Sequence, residues 1–154
     1  MGNRAGFTAA LMSSASLRII RKDTSGFQRL RRDVPNGIDR LARAAAQGIT
    51  DDIKQSMGTS PPGITYERYN PKRTHTASQP GYPPNVDLGN LRDSMNWFSE
   101  RKGRTIVHDG VVYGIDLELG NPATNLEPRP FVVPVFEQWQ RAKLMELART
   151  MGIL

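Results

Sequence analysis

A chain of 154 residues with 21 Lys and Arg against 15 Asp and Glu has a formal charge of +6, and it contains no cysteine. The length suits one domain with one real core and is marginal for two, while the missing thiols exclude a disulfide framework and any thiolate zinc site. No apolar run approaches the roughly 20 residues that span a bilayer, so no membrane segment is expected and the chain reads as a soluble protein made in the cytoplasm.

Residues 1–16 show no sustained period and read as an N-terminal tail; within them 9–15 are apolar but too short and too rich in Ser for a signal sequence. The rest, 17–154, reads as a single domain. Positive charge is concentrated early. Residues 1–33 hold seven basic side chains (Arg4, Arg18, Arg21, Lys22, Arg29, Arg31, Arg32) against two acidic ones. Such an arm can meet phosphate through Coulomb attraction and counterion release, or it can face solvent or an acidic partner. Only Phe7 and Phe27 are interleaved with it, which gives base stacking little support.

Leu17-Arg18-Ile19-Ile20-Arg21 is a short β candidate, residues 25–33 allow a helical turn, and Val34-Pro35-Asn36-Gly37 punctuates the chain. The clearest element runs from Ile38 to Met57. There Ile38, Leu41, Ala42, Ala45, Ile49, Ile53 and Ser56 recur at three- and four-residue steps, which at 100° per residue gathers them on one helix face. Gly58 is a plausible stop, and the small residues around Ala45 and Gly48 would let another backbone approach.

Residues 58–90 change character, with six of the eleven prolines and little apolar period. They read as an extended Pro-rich loop, either a floppy insertion or, the favoured reading, an arm lying on a neighbouring subunit. Beyond Asn90, Leu91–Ser99, Arg104–His108 and Val111–Leu119 look like a meander, with Asp109-Gly110 as a favoured hairpin turn. In the third of these, alternation puts Val111, Tyr113, Ile115, Leu117 and Leu119 on a core face. From about Pro130 a second helix begins. Phe131, Val132, Val135, Phe136 and Trp139 cover one sector of it, while Leu144, Leu147 and Met151 form a stripe rotated away. Either two partners cover the two faces, or the helix bends. The fold expected is α+β, a small antiparallel or mixed sheet of about four strands packed by two helices.

The chemistry of catalysis is poorly supplied. Only His75 and His108 offer imidazoles, in different segments, and no serine elbow, P-loop or dinucleotide fingerprint is present. Asp116 and Glu118 share a strand face on this reading, but carboxylates on an exposed sheet are usually just solvated. No catalytic, cofactor or metal site is expected, and the chain is read as no enzyme.

One ordered set of motifs remains. Asp87, Gly89, Leu91 and Ser94 fit an Asp-Thr-Gly-x-Leu-x-x-Ser pattern in which Leu88 replaces the Thr. Tyr113, Glu118 and Gly120 fit a Tyr before Glu-x-Gly-Thr, with Asn121 departing from it, and Arg129-Pro130-Phe131 opens the last helix. In this order and spacing, over about residues 17–150, the chain resembles the neck and tail-completion family of long-tailed bacteriophages, also described as head-tail joining or minor tail components. The resemblance implies a structural virion protein at the head-tail junction, either a neck ring or the tail terminator proper. It would form a homo-oligomeric ring, hexameric by analogy, made in the bacterial host cytoplasm. Its partners would be copies of itself, a head-closure or connector protein, and a tail tube or tail terminator protein, with genomic DNA passing through the lumen without sequence specificity. Glycine at 89 and 120 would permit turns that a Cβ would strain. Arg129 would pair with Glu118 or cap carbonyls across the loop, and Phe131 would plug helix to sheet. The alternative is a basic nucleic-acid-binding protein using Arg18, Arg21, Lys22, Arg29, Arg31 and Arg32; a hydrolase acting at the virion is the remote third reading.

Overall fold

The computed structural model of the chain describes residues 25–70 and 72–154, apart from the side chains of 25–32 and Arg141. The β candidate Leu17–Arg21 and the basic residues Arg4, Arg18, Arg21 and Lys22 lie outside the described residues. Two compact units divide between Gly37 and Ile38, and the core and site below belong to the second.

Helix α1 spans Ser25–Ser56. It begins before Ile38 and continues through Val34-Pro35-Asn36-Gly37, which the sequence marks as a break. Proline's fixed φ near −65° is itself a helical value, so the helix continues through Pro35 at the cost of one amide hydrogen bond and a ring set against the carbonyl one turn back. At the far end the expected stop holds, and Gly58 takes φ +95°. From Ala45 onward the apolar face is the expected one: Ala45, Ile49, Ile53 and Met57 are buried together with Leu91, Met95, Phe131, Val135 and Trp139 in one cluster, whereas Ile38, expected on the same face, is 48% exposed.

What approaches Gly48 is a side chain, not the backbone that its neighbourhood of small residues suggests. A Cβ there would lie 2.5 Å from ring carbons of Trp139. The indole is fixed in that position, because its Nε1 donates to Asp52 Oδ2 at 2.7 Å and Lys143 Nζ donates to the same oxygen at 2.7 Å. Gly48→Ala is therefore expected to destabilise the chain by about 1–3 kcal/mol through overpacking, even though alanine is the better helix former. Chemical denaturation reads this directly; a gain in stability would mean that the ring yields freely.

The chain is α+β, and its four strands form two separate two-stranded antiparallel sheets. β1 (Pro62–Tyr69) pairs with β2 (Lys72–Ser78), with Tyr66 opposite His75 and Arg68 opposite Arg73. Residues 58–90 are thus not the extended loop expected. The hairpin is invisible to apolar periodicity because almost every β1 side chain is exposed. Polar pairing takes the place of burial, as in the Thr65 to Thr76 hydroxyl contact at 2.8 Å.

The strand expected from Leu91 is divided. Residues Asn90–Ser94 form helix α2, and β3 begins at Asn96 and ends at Arg101. One helical turn separates Leu91 from Met95 and lets both be buried. β4 is Arg104–His108, as expected. The hairpin turn between β3 and β4 lies at Lys102-Gly103, with Gly103 at φ +74°. Asp109-Gly110 leads instead into a helix. The β3–β4 hairpin is tied to α1 by Trp97 Nε1 donating to Gln47 Oε1 at 2.9 Å, by the Gly103 N–H donating to Asp39 Oδ1 at 2.9 Å and by the Thr105 hydroxyl donating to Ala42 O at 3.2 Å.

The expected third strand is wrong in kind. Residues Gly114–Leu119 are helix α3. Alternation at 111, 113, 115, 117 and 119 imitates a strand, but in a helix these side chains separate around the axis. Leu117 packs on the core and Gly114 is buried, whereas Val112, Ile115 and Leu119, spaced three and four apart, face outward with 96%, 64% and 67% exposure.

The last helical stretch is continuous but not uniform. α4 (Val133–Gln138) leads into a π turn at Trp139–Lys143 and then α5 (Leu144–Thr150). A π turn takes up one extra residue, which removes roughly 100° of rotation. That brings Leu147 back against the core and buries Ala148. Of the second apolar stripe read from the sequence, Leu147 thus joins the core that the first sector covers, while Leu144, like its neighbour Met145, stays exposed.

Candidate functional site

The motif residues build a junction between α3 and α4. Glu118 is on the inward side of α3, and its carboxylate covers the entry to α4. Oε2 accepts from the backbone N–H of Phe131 at 2.8 Å and of Val132 at 3.0 Å, and Oε1 accepts from that of Val133 at 3.0 Å. These are amides without an intrahelical partner, so one carboxylate satisfies three donors with charge-assisted bonds. The expected alternative of an Arg129–Glu118 pair is not realised, because the Arg129 guanidinium is turned to backbone carbonyls instead. Arg129 takes the other expected role and caps carbonyls: Nε donates to Ser78 O at 3.2 Å and Nη1 to Glu127 O at 3.3 Å, while its backbone N–H donates to Leu117 O at 2.6 Å. Pro130, which has no N–H to satisfy, follows, and Phe131 is 1% exposed in the core. It plugs a junction between two helices rather than between helix and strand.

Gly120 ends α3 at φ +77°, ψ 165°. A Cβ there would lie 2.8 Å from Leu126 O and 3.0 Å from the backbone nitrogen of Pro128, so only glycine fits this turn. Gly89 precedes α2 at φ +87°. After it Leu91 is buried and the Ser94 hydroxyl donates to Leu91 O at 2.8 Å. Tyr113 precedes α3 and is half exposed.

Asp87 is an electrostatic anchor that its motif position alone does not announce. It pairs with Arg68 Nη2 at 3.1 Å and with Arg73 Nη1, and His75 Nδ1 lies 3.6 Å from its Oδ1. The carboxylate clamps the β1–β2 hairpin onto the segment that leads to α2. Sequence reasoning missed Arg68, Arg73 and His75. The available signal was their spacing at two on each side of a turn, which puts them on one face if the stretch is a hairpin.

An open cleft of about 740 Å³ lies between this hairpin face and the junction, lined by Tyr66, Arg68, Arg73, His75, Asp87, Tyr113, Leu117 and Arg129 among others. Arg29, Arg31 and Arg32 belong to the α1 backbone, and their side chains are not described. Asp116 and Glu118 do not share a strand face, and among the described residues no group of three or more His, Asp or Glu is placed to hold a metal ion. No helix among them is long and apolar enough to cross a membrane.

Burial, followed by the charges of Arg68 and Arg73, holds the His75 imidazole below its ordinary value of 6.5. The unfolded chain then binds this proton more readily than the folded one. Stability attributable to His75 is full above pH 6.5 and falls as pH drops from there toward the lower folded value. His75→Gln is expected to flatten the stability profile across that acidic window; an unchanged slope in denaturation curves would assign the effect to other groups.

Comparison with family models, with curated proteins and with solved structures finds no match to this chain.

Proposed function

We propose that this chain is a structural subunit of the neck of a long-tailed bacteriophage, a ring-forming protein that joins head connector to tail and lets DNA through its lumen. The observation that carries the reading is the use made of the three ordered motifs. Asp87 anchors the hairpin, Glu118 caps the Arg129-Pro130-Phe131 helix entry, and the two glycines make the turns between. Each motif does mechanical work, and none converges on a reacting centre. The outward ridge of Val112, Ile115 and Leu119, with exposed Ile64 and Tyr69 on the hairpin, supports it further. Apolar surface of this kind at projecting elements is what a subunit presents to neighbours. On this reading the ring is homo-oligomeric, its other partners are a head-closure protein and a tail tube or terminator protein, and the chain does no chemistry. Loss of the gene should yield filled heads and finished tails that fail to join, or tails of faulty length. Normal infectious particles in the deletion would overturn the proposal.

The concentration of basic residues before residue 34 favours a second reading, a nucleic-acid-binding protein. In that case Arg29, Arg31 and Arg32 changed together to Gln abolish DNA binding by the free chain, and the wild type loses affinity steeply with salt. For a neck subunit, binding of free DNA at physiological salt is weak, and the triple change alters assembly instead.

A further inference from the structure

The cleft beside Asp87 holds more positive charge than its own carboxylate offsets. Arg68 and Arg73 share Asp87. Arg129 lines the same cleft and, among the described residues, is held by the carbonyls of Ser78 and Glu127 but by no carboxylate. Arg92, the fourth arginine of the lining, is paired with Asp93 at 2.9 Å, which leaves the guanidinium groups of Arg68, Arg73 and Arg129 to the one carboxylate of Asp87. Two polar atoms of the lining residues, Arg73 Nε and Asn85 Oδ1, are closed to solvent without a hydrogen-bond partner, so the polar part of this wall is incompletely satisfied from within the chain. The remaining wall combines the aliphatic side chains of Val86, Leu91, Leu117 and Leu126 with the rings of Tyr66, Tyr69 and Tyr113.

We propose that this cleft is the docking seat of an extended acidic segment of a neighbouring protein chain, with carboxylates on the surplus arginines and an aliphatic side chain against the Leu117 and Leu126 wall. The inference rests on the reading of the chain as an assembly subunit and names the chemistry of its partner. Arginine presents a planar fork that suits a carboxylate. A nucleic-acid strand would match the charge and stack on the tyrosine rings, but it brings no aliphatic side chain for the Leu117 and Leu126 wall, and it is the competing occupant that the test separates. The hairpin of a second copy is a poor occupant, because its tip carries Arg68, Lys72 and Arg73 into a cleft that is already basic. The segment is acidic where this surface is basic, as expected when charge complementarity sets register and partner choice.

The test titrates the isotopically labelled full chain with a blocked peptide of alternating Glu and Leu, a Gln and Leu peptide of equal length, and an oligothymidylate strand, at physiological salt. The expected result is saturable shifts confined to amides of β1 and β2, of residues 85–92, of 113–117 and of 126–129 with the acidic peptide alone. Arg68→Gln, whose side chain is 52% exposed and so removable without loss of the fold, should weaken that binding about tenfold, the effect of losing one hydrogen bond to a charged group. Equal binding of the neutral peptide, shifts elsewhere, displacement by the oligothymidylate, or an unaffected Arg68→Gln would each overturn the proposal. Acidic-peptide binding by a chain that is missing from particles would remove the neck reading and keep the cleft; a chain in the neck with an indifferent cleft would do the reverse.

Discussion

Phe131→Ala is expected to destabilise the second unit by about 3–5 kcal/mol, the range for a large aromatic truncated in a packed interior. Phe131 is 1% exposed and belongs to the same cluster as Ile49, Ile53, Leu91, Met95 and Val135. Its removal opens a cavity where α1, α2 and α4 contribute side chains together. The neighbours are pinned by more than apolar contact, since the amide of residue 131 is held by Glu118, so collapse into the space is restricted and the cost belongs toward the upper end. Thermal or urea denaturation reads the change. A midpoint unchanged by the substitution would mean that Phe131 does not fill the centre of this core.

Glu118→Ala should come next, with a loss of about 2–4 kcal/mol. The substitution strips three backbone donors of their acceptor, and bonds to a charged group are worth more than neutral ones. Side-chain caps to neutral chains already cost about 1 kcal/mol when removed, and here one carboxylate replaces several. Glu118→Gln is diagnostic. Its amide keeps one oxygen for the N–H groups of Phe131 and Val132, but turns an NH₂ toward that of Val133, so it should recover only part of the loss. Amide exchange at 131–133 should quicken in both variants, more in the alanine form. Full stability in Glu118→Gln would mean that geometry alone, without charge, holds the entry to α4.

How far the sequence discloses this structure depends on whether a segment's pattern reports burial. The α1 face from Ala45 to Met57 is legible because one side of a long helix is packed and the other is wet. β4 and Gly58 are legible for equally local reasons. The β1–β2 hairpin is not, because neither of its faces is mostly apolar and its attachment runs through Asp87. Residues 111–119 mislead by coincidence. Alternating Val, Tyr, Ile and Leu reads as a strand, but the need to set Glu118 over the amides of 131–133 and Leu117 O against the Arg129 N–H is a tertiary demand that outweighs local preference. The π turn at Trp139–Lys143 is likewise invisible in a count of three- and four-residue steps, and it explains why the apolar stripe appears to shift beyond Trp139.

The candidate site was half legible. Motif positions pointed to Glu118, Gly120, Arg129 and Phe131, and these do meet at one junction. Asp87 was found without its partners, because Arg68, Arg73 and His75 lie in a stretch that carries no strand signal. Ion pairs across a polar hairpin leave a mark in sequence only once the hairpin itself is known.

The proposed neck function is tested most directly by the position and copy number of this chain in purified, DNA-filled phage particles, by electron cryomicroscopy of the head-tail junction with a tagged copy for assignment. The expected result is a single ring of copies between connector and tail, with the Arg68, Asp87 and Arg129 cleft of each covered by an acidic stretch of an adjoining chain. Particles that lack the chain, or that hold it elsewhere than the head-tail junction, would contradict the neck assignment outright.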